Sequence, residues 1–345
     1  MSSLTRWGPT YHMIATSAIT HSPSFVTGKG PFGTSTSIVY TKNDPVFNPN
    51  REIISNRKAT GNAYLTKAAS IPIERLPGVE APTTSFEIDF ETASAYIPLV
   101  TLFQEITSTV GTSAETKVFN CYSGSDVSCY AALKRVLEND KCQLIKGAIA
   151  QSVTISGNEG EPVTMTVDWL GADMDGDATT GKSTWATTHA STFVMFKDMI
   201  CAYNASGATI DIVGFDLTIS NNAVARHYNK ATIQKYLLGD LTVEGTLRFP
   251  WGADTVGSTA FFTLLNAGTA FKLWLYKGND ITTHIDSTAG YFTIIVNAEV
   301  DDVTTNADDE LVNEISFTGV YAMELELPIS IALNDNVTRT GYFTR

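Results

Sequence analysis

Ser152-Val-Thr-Ile155, Ser156-Gly-Asn-Glu-Gly-Glu-Pro162 and Val163-Thr-Met-Thr-Val-Asp-Trp169 follow one another without a break. The first and third alternate apolar and polar residues, as half-buried strands do. The middle stretch is dense in Gly, Asn and Pro, so the three together read as a β-hairpin. The same pattern recurs on both sides. Ser85-Phe-Glu-Ile-Asp-Phe90 alternates strictly, and so do stretches within Asp211–Ile219, Leu241–Phe249, Tyr291–Val300 and Glu314–Thr318. β-branched residues dominate them, which suits a pleated surface.

Three stretches carry helical spacing: Tyr96 to Thr107, Tyr130 to Asn139, and Ser258 to Asn266. In the second, Ala131, Leu133, Val136 and Leu137 oppose Lys134, Arg135 and Glu138. Each is short and lies among strands, which predicts a mainly β, α+β chain with a sandwich or barrel core.

The chain has 345 residues, 43% of them hydrophobic and 17% charged, enough apolar material for a large core and about two domains. Its 23 Lys and Arg against 36 Asp and Glu leave a net charge of −13, which argues against a protein that grips nucleic acid through neutralised phosphates. The four cysteines, Cys121, Cys129, Cys142 and Cys201, form no Cys-x-x-Cys pair and read as reduced, packed thiols. The N-terminal residues lack the apolar run of a secretory signal, and no run of 18 apolar residues suggests a membrane span, so synthesis in a cytoplasm is expected.

The two halves can be laid over each other. Phe86–Phe90 leads to the apolar set Leu99, Val100, Leu102 and Phe103; Gly245–Phe249 leads to Phe261, Phe262, Leu264 and Leu265. Tyr122-Ser-Gly124 then aligns with Tyr276-Lys-Gly278, and Trp169-Leu-Gly171 with Phe317-Thr-Gly319. The second half is the shorter, by about the length of the helix read at Tyr130 to Asn139. The division expected is an extended arm with short strands over 1–60, a first domain over 61–175, a connector over 176–190, a second domain over 191–333 and a tail over 334–345.

Several motifs invite a chemical reading. Gly176-Asp-Ala-Thr-Thr-Gly181-Lys182-Ser183 matches the phosphate-loop pattern, but acidic residues precede it and a poor helix follows, so it reads as a connector. Asp173, Asp175 and Asp177 are spaced like the carboxylates of a calcium loop; Ala178 and Thr184 stand where its glycine and bidentate glutamate belong, leaving a weak cation candidate in a solvated acidic loop. Gly28-Lys-Gly30-Pro-Phe-Gly33 fits a dinucleotide pattern by letters only. His12, His21, His189, His227 and His284 are scattered without zinc-site spacing. Asp301, Asp302, Asp308, Asp309 and Glu310 cluster at the apparent turn of the last hairpin and read as a surface or lumen charge cluster. No catalytic residue, cofactor site or firm metal site emerges, and no enzyme activity is expected.

Two longer stretches are similar to a known family. Lys146 to Gly171, and Gly214-Phe-Asp-Leu-Thr-Ile-Ser-Asn-Asn222 followed by Tyr236 to Phe249, resemble segments of the tail tube proteins of long-tailed, siphovirus-type bacteriophages. The likeness runs over roughly 60–330. It implies two tandem tail-tube-like β-sandwich or barrel domains, each with a short flanking helix, whose inner sheets join between subunits. It also implies rings of three chains with pseudo-sixfold symmetry, or of six, stacked into the channel for genome delivery. The partners implied are the chain itself, a tape measure protein, tail terminator and distal tail proteins, and double-stranded DNA that passes without specific binding. The place implied is a virion tail assembled in a bacterial cytoplasm, with no membrane and no cofactor. An acidic lumen would let a phosphate backbone slide. The alternatives are another phage or secretion-tube component, such as a baseplate or decoration protein, or a carbohydrate-binding adhesin module.

Overall fold

In a computed structural model, alternation becomes register. The structure describes residues 11–15, 36–43, 45–51, 53–56, 74–104, 106–110, 115–120, 127, 130–138, 141–178, 193–203, 208–230, 232–250, 257–278, 291–306, 312–321 and 327–335. The motif at Gly28–Gly33, His21, His189, His284, Cys121, Cys129 and Asp308 to Glu310 lie outside them, as do the aligned Tyr122–Gly124 and most of the 176–190 connector.

The quoted hairpin is formed by β9 (Lys141–Asn158) and β10 (Thr164–Leu170). It belongs to a continuous antiparallel sheet. β5 (Thr83–Asp89) pairs with β10, β10 with β9, β9 with β14 (Gly214–Ser220), β14 with β17 (Thr242–Pro250), β17 with β20 (Val312–Gly319), and β20 with β19 (Phe292–Asn306). Burial alternates along most of these strands: Thr84, Phe86 and Ile88 of β5, and Met165, Val167 and Trp169 of β10, are buried, while the residues between them are half-buried or exposed. One face of this sheet is therefore core and the other is open.

β9 and β19 are long because each serves two layers. The first half of β9 lies between β8 (Ala131–Glu138) and β11 (Asp173–Ala178), with β1 (Tyr11–Ala15) and β2 (Thr36–Tyr40) continuing beyond β8. The first half of β19 lies between β18 (Phe271–Lys277) and β21 (Ile329–Asp335). β12 (Ile200–Tyr203) and β13 (Ala208–Ile210) continue beyond β18, and β7 (Glu115–Asn120) and β6 (Ile106–Val110) beyond β21. Strands that pass between layers need a local bend, and a β-bulge supplies one. In β9 the bulge is Gln151, opposite the Asp168/Trp169 step; in β19 it is Asp301, opposite the Ser316/Phe317 step.

Between the layers lies an aromatic core. Phe249, Phe261, Phe271 and Phe317 touch in sequence, Phe90 meets Phe292 at 5.0 Å between ring centres, and Phe86 stacks on Trp169. Each such ring removed from water contributes about 2–3 kcal/mol. Helix α1 (Thr92–Phe103) packs on β7, β9 and β21 and is buried on nearly every side, since Ala95, Tyr96, Ile97, Leu99, Val100, Leu102 and Phe103 are all core. Even its Thr101 is enclosed; its hydroxyl donates to the Ile97 carbonyl at 3.0 Å and accepts from the Ala150 amide at 3.3 Å. Helix α2 (Gly257–Ala267) covers β19 with one face.

The helix expected at Tyr130 to Asn139 is instead strand β8, with β1 on one edge and β9 on the other. A stretch this short gains two ladders of hydrogen bonds as a strand, which one helical stripe does not match. Helix α1 begins four residues earlier than expected and stops where Gln104 turns left-handed at φ 58°, so that Ile106 and Thr107 enter β6. The strand read from Asp211 starts later, at Gly214, and residues 211–213 connect it to β13, which ends at Ile210. The acidic stretch from Asp173 is no loop: it forms β11, and its carboxylates are tolerated because it lies along one edge of β9, where the register slips after Asp175.

Candidate functional site

The open face of the long sheet carries the residues that alternate with the core. One row across it runs through Glu87, Thr166 and Thr154 and continues as Thr218, Glu244, Thr318 and Glu299. The next row runs through Asp89, Thr164 and Ser156 and continues as Asp216, Thr246, Ser316 and Asp302. Short hydroxyl and carboxylate side chains thus pave a surface seven strands wide. Where β9 meets β14, the Thr154 and Thr218 hydroxyls lie 2.9 Å apart. Ser152 donates to Asp168 at 2.6 Å, and Thr318 donates to Asp301 at 2.7 Å.

Among the described residues, the cations of this face are Lys42 and Arg248, and acids hold both. Lys42 lies 3.4 Å from Glu87 and 3.4 Å from Asp89; Arg248 donates to Asp216 at 3.2 Å and to Asn158 at 3.0 Å. Gly214 leaves room for that guanidinium, since a Cβ there would stand 3.0 Å from its Nη2. The remaining acids keep the face negative. Its hollows are shallow and polar, one lined by Ser152, Asp168 and Ser220, another by Glu244, Thr246 and Ser316.

The cation candidates lie elsewhere. Asp173 is 3.6 Å from Lys146 across the β9–β11 pair, Asp175 is half-buried further along β11, and Asp177 falls at the end of the same strand. Among the described residues no three His, Cys, Asp or Glu side chains gather as a metal site. Gly176 to Ala178, the start of the phosphate-loop match, lie in antiparallel β11 rather than on the parallel strand and helix start that a phosphate cradle uses. Asp301 and Asp302 are not at a hairpin tip; they lie within β19 at its bulge, on the open face. Cys201 is buried among apolar groups, which pushes its thiol up to about 12.

Lys42, Asp89, Asp168, Asp216, Glu244 and Arg248 were not singled out from sequence as site residues. Their alternation with core residues gives their side of each strand. Only the strand order gathers them on one surface.

A broad, shallow, acidic and hydroxylated sheet face, backed by helices and a second layer, offers a surface rather than a cleft. A comparison with known families agrees: the family model described as phage tail tube protein matches residues 28–319, and the chain belongs to that family. A comparison with curated proteins returned no match.

Proposed function

We propose that the chain is the major subunit of a tail tube, that it carries two copies of one tube unit, and that three chains close a ring that stacks on others to form the channel for the genome. The observation that carries this reading is the repeated path of the chain. β1, β2, segment 41–48, β5, α1, β8, β9, β10 and β11 correspond in order and pairing to β12, β13, β14, β17, α2, β18, β19, β20 and β21. β9 and β19 even bulge at matching points, and the Gly171–Gly319 match made from sequence falls at the same end of β10 and β20. Under this reading the β6–β7 hairpin, not a helix at Tyr130 to Asn139, is the extra element of the first half.

The geometry favours three chains. Counting from the bulges, Thr304 of β19 corresponds to Thr154 of β9, yet the row through Thr304 crosses Glu314, Arg248 and Gly214 and meets β9 at Asn158. The repeat is therefore displaced by four residues over four strands. One residue of stagger per strand gives a barrel tilt of about 36°. Each chain supplies eight strands if segment 41–48 is counted with the seven of the sheet. At ~4.8 Å per strand and that tilt, three chains close a barrel about 45 Å across between backbones, whereas six would close one about 90 Å across. The smaller ring already admits a duplex, and the larger is far wider than one needs. The core face is covered by helices, so the acidic face lines the channel, where it repels phosphates and keeps DNA moving.

Electron microscopy of the purified chain tests this reading. Hollow filaments are expected, and a variant lacking residues 1–50, which removes β1, β2 and segment 41–48, should form none. A concentrated chain that stays solitary contradicts the proposal.

A further inference from the structure

Among the described residues, the long sheet has one covered joint and two ends with no further strand. In the joint, Ser152, Thr154 and Ser156 of β9 face Ser220, Thr218 and Asp216 of β14. The corresponding edge of β19, from Asp302 to Asn306, pairs with β20 on one side and with no described strand on the other. At the far end of the sheet, segment 41–48 lies against β5 where β14 lies against β17: Thr41 bridges Ile88, and Asn48 and Thr83 exchange both backbone hydrogen bonds at 2.9 and 2.8 Å. Phe47 turns into the core as Leu217 does, while Val46 is 69% exposed. An unpaired edge of this kind is a template for another strand.

Resting on the ring reading above, we propose that the internal β9–β14 joint is repeated between chains: the Asp302–Asn306 edge of one copy pairs antiparallel with segment 46–50 of the next. The position of Asn48 on β5 matches that of Thr218 on β17, because Thr83 and Glu244 occupy equivalent places opposite Leu170 and Thr318. The register follows. Thr304 faces Asn48 as Thr154 faces Thr218, Asp302 faces Asn50 and Asn306 faces Val46. Direction is consistent: seven successive antiparallel steps separate segment 41–48 from β19, so the two run in opposite senses, as β9 and β14 do. Val46 then stands beside Asn306 of the neighbour on the open face, in the place that Asp216 takes beside Ser156. The occupant of each end is a second copy of this chain, because each end is shaped as the partner that the other lacks.

Cysteine pairing tests the register. Thr154→Cys with Thr218→Cys should cross-link within a chain and calibrates the geometry. Asn48→Cys with Thr304→Cys should cross-link between chains, and a denaturing gel should show a ladder that ends at the closed ring. Filaments that form normally, with the calibrating pair closed and the second pair open, overturn this joint and leave the tube reading standing. A wild-type chain that forms no filaments overturns both before any substitution is made. Hydrogen exchange on the unsubstituted chain gives an independent check, since the amides of 302–306 that point away from β20 should slow at least tenfold on assembly, and unchanged exchange there overturns the joint.

Discussion

Tyr236 shows how a single side chain ties the two halves of the chain together. It lies on β16 (Lys235–Leu237), which pairs with β15 (Val224–Arg226), and its ring is buried beside Tyr130, Ile149 and Leu170. Its hydroxyl donates to the Gly147 carbonyl of β9 at 2.8 Å. Burial, and then the nearby Tyr130, hold its ionisation well above the ordinary 10.0. The folded chain therefore keeps this proton at pH values where the unfolded chain has lost it, so the stability linked to it is present below pH 10 and falls as pH rises beyond. Tyr236→Phe is expected to cost about 1 kcal/mol in urea unfolding at pH 7 and to flatten the loss above pH 10. An unchanged midpoint at pH 7 would mean that the hydroxyl contributes nothing to the junction.

At the scale of elements, close packing on β9 limits what the joint accepts. A Cβ on Gly157 would stand 2.5 Å from the Phe215 ring and 2.8 Å from that of Phe196, whereas one on Gly176 would meet nothing within 4 Å. Gly157→Val should lower stability by about 2 kcal/mol or more, and Gly176→Ala by less than about 0.5 kcal/mol, as read from thermal or urea unfolding. Strands such as β5 and β10 were legible from sequence because one face is core and the other wet, so alternation survives intact. β8 was not, because Ala131, Ala132 and Leu133 are all buried and Val136 and Leu137 follow at helical spacing. A strand covered on both faces loses the period that identifies it. The acids of the site were legible one by one as the polar partners in alternating stretches. Their assembly into a face was not, because rows such as Glu87 to Glu299 depend on pairings up to about eighty residues apart in the chain, which no local pattern encodes.

Across the whole molecule, the net charge of −13 acquires a location. A set of acids lies on the open sheet face, while Lys42 and Arg248 are held by neighbouring carboxylates. Among the described residues, the helices leave this face uncovered, so strand order, charge and open edges all favour a ring with an acidic channel. The most direct test is the number of chains in that ring, counted by high-resolution electron microscopy of filaments or by native mass spectrometry of the smallest closed species. Three chains, with six similar repeats around the axis, is the result expected; a ring of six chains, or repeats that do not superpose, would contradict it.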